Sequence, residues 1–207
     1  MSATGLRHPG LNLGPAHGDA HEAAEEIVFG FWVFLMSDLV LFSAIFATFA
    51  TMVDATAGGP DGHTLFDFKS AAIETGALLL SSFTFGMASV SMKHGRETRS
   101  VALWLGVTLL LAFVFLGLEI NDFLSMLAKG GSPERSGFLS AVWLLVATHG
   151  THVTFGCLWI VVMLIQVLKL GLTSDVKLRL LRLALFWHFL DIVWVGIFSF
   201  VYLRGLA

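Results

Sequence analysis

The sequence predicts an all-α integral membrane protein of five transmembrane helices, and three observations predict it. Of 207 residues, 56% are hydrophobic and 13% charged, whereas roughly a quarter of an ordinary soluble domain is charged. Mean hydropathy is +0.82. The apolar residues fall into five long runs separated by short polar loops, each run exceeding the ~20 residues that span hydrocarbon as a helix. The net charge of −3, without basic clusters interleaved with aromatics, leaves no nucleic-acid footprint.

Residues 1–26 read as a polar tail, with Pro9, Gly10, Gly14 and Pro15 followed by the acidic group Asp19, Glu22, Glu25 and Glu26. The tail lacks the basic-then-apolar layout of a cleavable signal, so the first helix is expected to stay in the mature chain. The spans are expected at 27–53, 71–92, 101–127, 136–168 and 178–203. They group as the tail, a first helix pair (27–92) and a last helix trio (93–207). The phenylalanines of the first span, Phe31, Phe34, Phe42, Phe46 and Phe49, are expected against lipid.

The loops carry their own punctuation. Gly58-Gly59-Pro60 ends the first span and Gly130-Gly131-Ser132-Pro133 ends the third. Ser132 suits an N-cap, with Pro133 at the first helical position and Glu134 favourable to the dipole. Thr173, Ser174 and Asp175 are start signals for the fifth span. Five spans put the tail, the second–third loop and the fourth–fifth loop on one side, with Arg7, Lys93, Arg96, Arg99, Lys169, Lys177, Arg179 and Arg182. The other side has Lys69, Lys129, Arg135 and Arg204. Positive charge favours the cytoplasm, so the N-terminus is expected inside and the C-terminus outside. Trp143, Trp187 and Tyr202 are candidate interface anchors.

Chemistry must come from the polar groups inside the spans: Asp38, Glu74, Glu119, His149, His152, His188 and Asp191. Each charged form costs on the order of 2.5–3.5 kcal/mol at the bilayer centre, so seven of them imply a hydrated or protein-covered interior. His149 and His152 are three apart and are expected on one helix face, as are His188 and Asp191, where the carboxylate can orient the imidazole. Glu119 is a further candidate partner for the histidines. The simplest role for such groups is interhelical hydrogen bonding. A metal site would draw ligands from facing helices, but there is no Glu-x-x-His pair, and Phe186-Trp187-His188-Phe189 leaves no small-residue gap for a haem. Cys157, the single cysteine, reads as a small packing residue. Thr148, Gly150, Thr151, Thr154 and Gly156 make the fourth span small and polar at mid-length. The second span has Gly76, Ser81, Ser82 and Gly86; these stripes fit close packing within the chain or against another subunit.

Four segments carry a resemblance: FGFWVFLMSDLVLFSAIFATF (29–49), ETGALLLSSFT (74–84), PERSGFLSAVWLLVATHGTHV (133–153) and FWHFLDIVWVGIFSFVY (186–202). Together they make the chain resemble subunit III of the haem–copper respiratory oxidases, most of all its cytochrome bo-type ubiquinol oxidase branch. The resemblance implies an accessory subunit without a catalytic, cofactor or metal site of its own. It would sit beside a catalytic subunit I that holds the haems and copper, in a bacterial plasma membrane complex that oxidises ubiquinol, reduces oxygen to water and moves protons. It further implies that the first two helices splay from the last three to hold phospholipid, with Asp38 at the position of the family's cleft carboxylate, where many members have Glu. A five-helix cytochrome c oxidase subunit is the alternative the resemblance leaves. Two rivals of other classes are a stand-alone proton or solute transporter and a small b-type cytochrome.

Overall fold

The computed structural model describes residues 17–94 and 97–206, with side chains described from 25 to 205 within them. Arg7, Arg96 and the proline- and glycine-rich start of the tail lie outside the described residues. The elements in order are α1 (His17–Met52), α2 (Gly62–Leu65), α3 (Phe68–Lys93), α4 (Thr98–Ala128), α5 (Gly137–Leu170), α6 (Ser174–Ile197), a π-helical turn (Phe198–Leu203) that continues α6, and α7 (Arg204–Leu206). Five of these are long and apolar enough to cross a membrane, at Glu25–Met52, Phe68–Lys93, Thr98–Ala128, Gly137–Leu170 and Ser174–Leu203. Helices suit this setting because every backbone N–H finds its acceptor within its own segment. Lipid-facing hydroxyls obey the same demand: Ser43 donates to Leu39 O at 2.7 Å and Thr48 to Ala44 O at 2.9 Å.

Helix ends follow local chemistry, with one correction. The fourth span does not begin at Ser132 with Pro133 in its first turn. Ser132 O instead accepts from Arg135 N in a turn, and Ser136 is the cap, its Oγ accepting from Leu139 N at 3.2 Å. Both serines are competent caps; Ser136 wins because the turn through Pro133 carries the chain back towards α1, where Phe138 N donates to Ala55 O. Thr173 caps α6 as its sequence suggests, accepting from Val176 N. Gly130 after α4 and Gly171 after α5 both take positive φ (77° and 69°), the left-handed step that ends helices and that only glycine takes without strain.

The bundle is antiparallel and layered. α3 packs along α4 and α6, α4 along α5, and α5 along α6, while α1 leans on α5 and α6. Within its apolar window only 11% of α1 is buried, against 39% of α3, so α1 stands furthest from the core and α3 is drawn into it. Aromatic residues fill the α1–α5 seam, where Phe31 meets Trp159 edge-on and Phe49 meets Phe138. The expectation that all the α1 phenylalanines face lipid is corrected by Phe42 and Phe49, both buried in that seam. Phe34 does remain exposed.

Trp187 and Tyr202 are likewise core residues rather than interface anchors. Trp187 is 1% exposed, stacked on Phe85 and set into the notch left by Gly156, where a Cβ would come within 2.9 Å of its ring. Tyr202 is turned inward by the π-helical turn and packs on Phe66 and Trp194. Cys157 is buried beside that notch.

Candidate functional site

The seven polar residues sort into separate interhelical clusters. The largest joins α3 to α6. His188 Nδ1 lies 2.9 Å from Ser82 Oγ and 3.3 Å from Asp191 Oδ2. Trp187 Nε1 donates to Ser81 Oγ, and Trp194 Nε1 donates to Thr75 Oγ1, each at 3.1 Å. A turn or more further along α6, Trp194 pairs with Thr75, which precedes Ser81 and Ser82 on α3, the register of two antiparallel helices. The predicted His188–Asp191 contact is present, and Ser82 joins it. Ser82 therefore serves a hydrogen bond within the chain, whereas Gly76 and Gly86 open onto empty space. The hydroxyl partners were legible only in retrospect: their signal is serine and threonine on α3 at positions that antiparallel packing sets opposite the Trp and His residues of α6.

A second cluster joins α1 to α5. Asp38 Oδ2 and His152 Nε2 are 3.7 Å apart, His152 Nδ1 lies 2.8 Å from its own Thr148 O, and Phe42 covers the imidazole. His149, one turn earlier, does not share this environment. It is fully buried towards α4 and α6, with Nε2 3.3 Å from Leu190 O and its ring edge-on to Phe115. The shared-face expectation fails because three residues advance a helix by roughly 300° rather than a full turn, and α5 is wrapped closely enough for that offset to select different neighbours.

The third cluster holds the carboxyls of α3 and α4. Glu74 is fully buried, close enough to Glu119 and Asp122 to feel their charge, and neither of its oxygens has a hydrogen-bond partner among the described residues. Asp122, absent from the sequence-derived candidates, accepts from Ser70 Oγ at 2.7 Å. Glu119 lies on the α5 backbone at Gly150, where a Cβ would sit 2.7 Å from Oε2. Its predicted contact with a histidine is not formed: Glu119 Oε1 and His149 Nδ1 are both without partners among the described residues. Gly150 thus makes room for a carboxyl, and Gly156 for an indole.

These clusters engage different helix pairs. The α3–α6 cluster spends its polarity on interhelical hydrogen bonds, whereas both Glu74 oxygens and Glu119 Oε1 stay without a hydrogen-bond partner among the described residues. Among the described residues no three His, Cys, Asp or Glu side chains converge as a metal-holding group.

Residues 14–206 match the family model described as cytochrome c oxidase subunit III. The chain is 47% identical to the cytochrome bo(3) ubiquinol oxidase subunit 3 of Pseudomonas aeruginosa, over 93% of this chain and 92% of that protein. It is 45% identical to the quinol oxidase subunit 3 of Bacillus subtilis, over 87% and 88%. It is 42% identical to the cytochrome c oxidase subunit 3 of Bacillus sp. (strain PS3), over 86% of each. A match over nearly the whole length, on a bundle with five candidate membrane spans, makes this chain a member of the cytochrome c oxidase subunit III family.

Proposed function

We propose that this chain is the non-catalytic subunit III of a haem–copper terminal oxidase that oxidises ubiquinol and reduces oxygen to water while moving protons. Its work is cohesion: it covers part of the catalytic subunit I and keeps phospholipid in place. The observation that carries this reading is the Ser82–His188–Asp191 set, in which the residues best suited to chemistry tie α3 to α6. Haems, copper and the quinol site belong, on this reading, to partner subunits. Quinol is preferred as donor because the relatives at 45–47% identity are named as quinol oxidase subunits, although the 42% relative is named for cytochrome c.

The arrangement in the membrane follows from charge. The eight-to-four bias of basic residues supports a cytoplasmic N-terminal tail and an external C-terminus in a bacterial plasma membrane. The division into tail, first two spans and last three belongs to the same reading, but α3 packs along α4 and α6 rather than splaying from them, so the lipid near Asp38 lies against α1. Exposed apolar residues such as Ile73, Phe83, Leu103 and Leu110 on α3 and α4 supply the surface for lipid or a partner.

The test uses the whole oxidase, purified through a tag on the catalytic subunit. His188→Leu and Asp191→Leu are expected to lower the amount of this chain that co-purifies and to leave the haem absorption bands of the remaining complex unchanged. Loss of a haem band from fully assembled mutant complex would overturn the accessory role. Oxidation of ubiquinol but not reduced cytochrome c by the same preparation is the expected donor result.

A further inference from the structure

An apolar groove and a polar recess meet at the end of the bundle where α6 gives way to α7. The groove, about 370 Å³, runs between α1 and the end of α6 and is lined by Phe46, Phe49, Ala50, Gly196 and Phe200, with Arg204 at its mouth. The recess, about 400 Å³, shares Phe49 and Arg204 with the groove and is otherwise bounded by Asp54, Asp61 and His63 among others. Both volumes fall in the range of roughly 300–1,000 Å³ usual for small-ligand sites. Close packing builds the corner. The short α2 is pressed onto the start of α7 so tightly that a Cβ on Gly62 would lie 2.7 Å from Gly205 Cα, which sets Arg204 beside the loop carboxylates.

The charges in this corner are unmatched. Arg204, Asp54 and Asp61 are all exposed and line one recess, and Arg204 donates its backbone N–H to Val201 O, yet its guanidinium forms no ion pair or hydrogen bond among the described residues. Arg135, the other arginine of this loop layer, is by contrast bound to Gly130 O at 3.1 Å. Asp61 is held in place by its capping bonds from Thr64 N and Thr64 Oγ1. Those bonds keep its carboxyl below the usual value of 3.8 and therefore ionised. The wall of the recess thus carries a guanidinium and two carboxylates, and through Phe49 and Arg204 it continues into a hydrocarbon-lined groove at a span end.

We propose that this corner binds an ethanolamine phospholipid, its phosphate on Arg204, its ammonium at Asp54 and Asp61, and an acyl chain along Phe46, Ala50, Gly196 and Phe200. The site rests on the lipid-retaining reading above but lies at the α1–α6 end, away from Asp38. A purely anionic lipid would meet the two aspartates, and a choline headgroup has no N–H to donate to them. A primary ammonium offers three donors, and a guanidinium pairs with phosphate through paired N–H groups.

The test places the intact oxidase in vesicles of phosphatidylcholine doped with phosphatidylethanolamine bearing a photoreactive acyl chain, and maps adducts by mass spectrometry. Adducts are expected on the peptides that contain Phe46 and Phe200, with the ethanolamine probe outcompeting its choline counterpart. Arg204→Ala should weaken capture about tenfold or more, the worth of a charge-assisted hydrogen bond, and Arg204→Lys should recover part of it. Asp54→Asn with Asp61→Asn, which keeps the Asp61 cap, should abolish the headgroup preference and spare capture. Equal capture of the two headgroups by the wild type, unchanged capture by Arg204→Ala, or adducts on another polypeptide at this corner would each refute the site. If Arg204→Ala captures normally while exhaustive delipidation still strips this chain from the complex, the Arg204 site falls and the lipid-retaining role stands. If delipidation leaves both subunit content and turnover intact, that role itself falls.

Discussion

Gly156 and Gly150 look alike in the sequence and do different things in the bundle. At Gly156 a Cβ would press on the indole of Trp187, a rigid ring that is 1% exposed; at Gly150 it would press on the carboxyl of Glu119. Overpacking a closed interior costs typically ~1–3 kcal/mol. Gly156→Ala is therefore expected to lower the thermal stability of the detergent-solubilised subunit by an amount in that range. Gly106→Ala, which meets nothing within 4 Å and sits inside α4, should not lower the midpoint. A thermal melt of the two variants side by side decides the point; equal midpoints would mean that Trp187 is not seated in the notch. The His188–Asp191 spacing makes their contact legible, because an imidazole and a carboxylate three apart on one helix can meet without help from a second helix. Glu119, by contrast, meets the Gly150 backbone rather than a histidine, since nothing in a sequence gives the rotation of one helix against the next.

At the scale of elements, the five spans were legible because hydrocarbon thickness sets a minimum length that no soluble segment imitates. Their ends were less so, and the start of α5 is the instructive case. Two serines four residues apart can both cap, and only the hydrogen bond from Phe138 N to Ala55 O shows why the later one does. Ser136→Ala is expected to cost ~1 kcal/mol, the usual worth of an N-cap, measured by chemical or thermal unfolding in micelles. Ser132→Ala should cost little, since its side chain caps no helix; the reverse order would restore the earlier start. The π-helical turn Phe198–Leu203 left no mark in the sequence, having neither proline nor glycine within it. Its effect is to bring Val201 and Tyr202 inside while Phe200 stays outside.

For the molecule as a whole, the uneven burial of the spans predicts uneven stability. α1 contributes little area to the core and is joined to α5 by aromatic contacts and the Asp38–His152 pair. α3 and α6 are laced by hydroxyl, indole and imidazole bonds. Hydrogen–deuterium exchange on the detergent-solubilised subunit is expected to open α1 before α3 and α6, the order in which opening free energies follow buried contacts. Simultaneous exchange of all five helices would mean that α1 is as firmly held as the rest. The same unevenness suits a subunit whose outer helix is completed by lipid or by a neighbour.

The pressing of Gly62 against Gly205 has a consequence for how such a chain is made. Gly205 follows all five spans in the sequence, whereas Gly62 sits in the first connection between them. During translation that connection can meet Lys129 and Phe138 as the third and fourth spans are made, but its contact with Gly205 waits until the fifth span has left the ribosome and entered the bilayer. The earliest loop synthesised is therefore among the last to take its final shape, and the corner it helps to build comes into being only when insertion is complete.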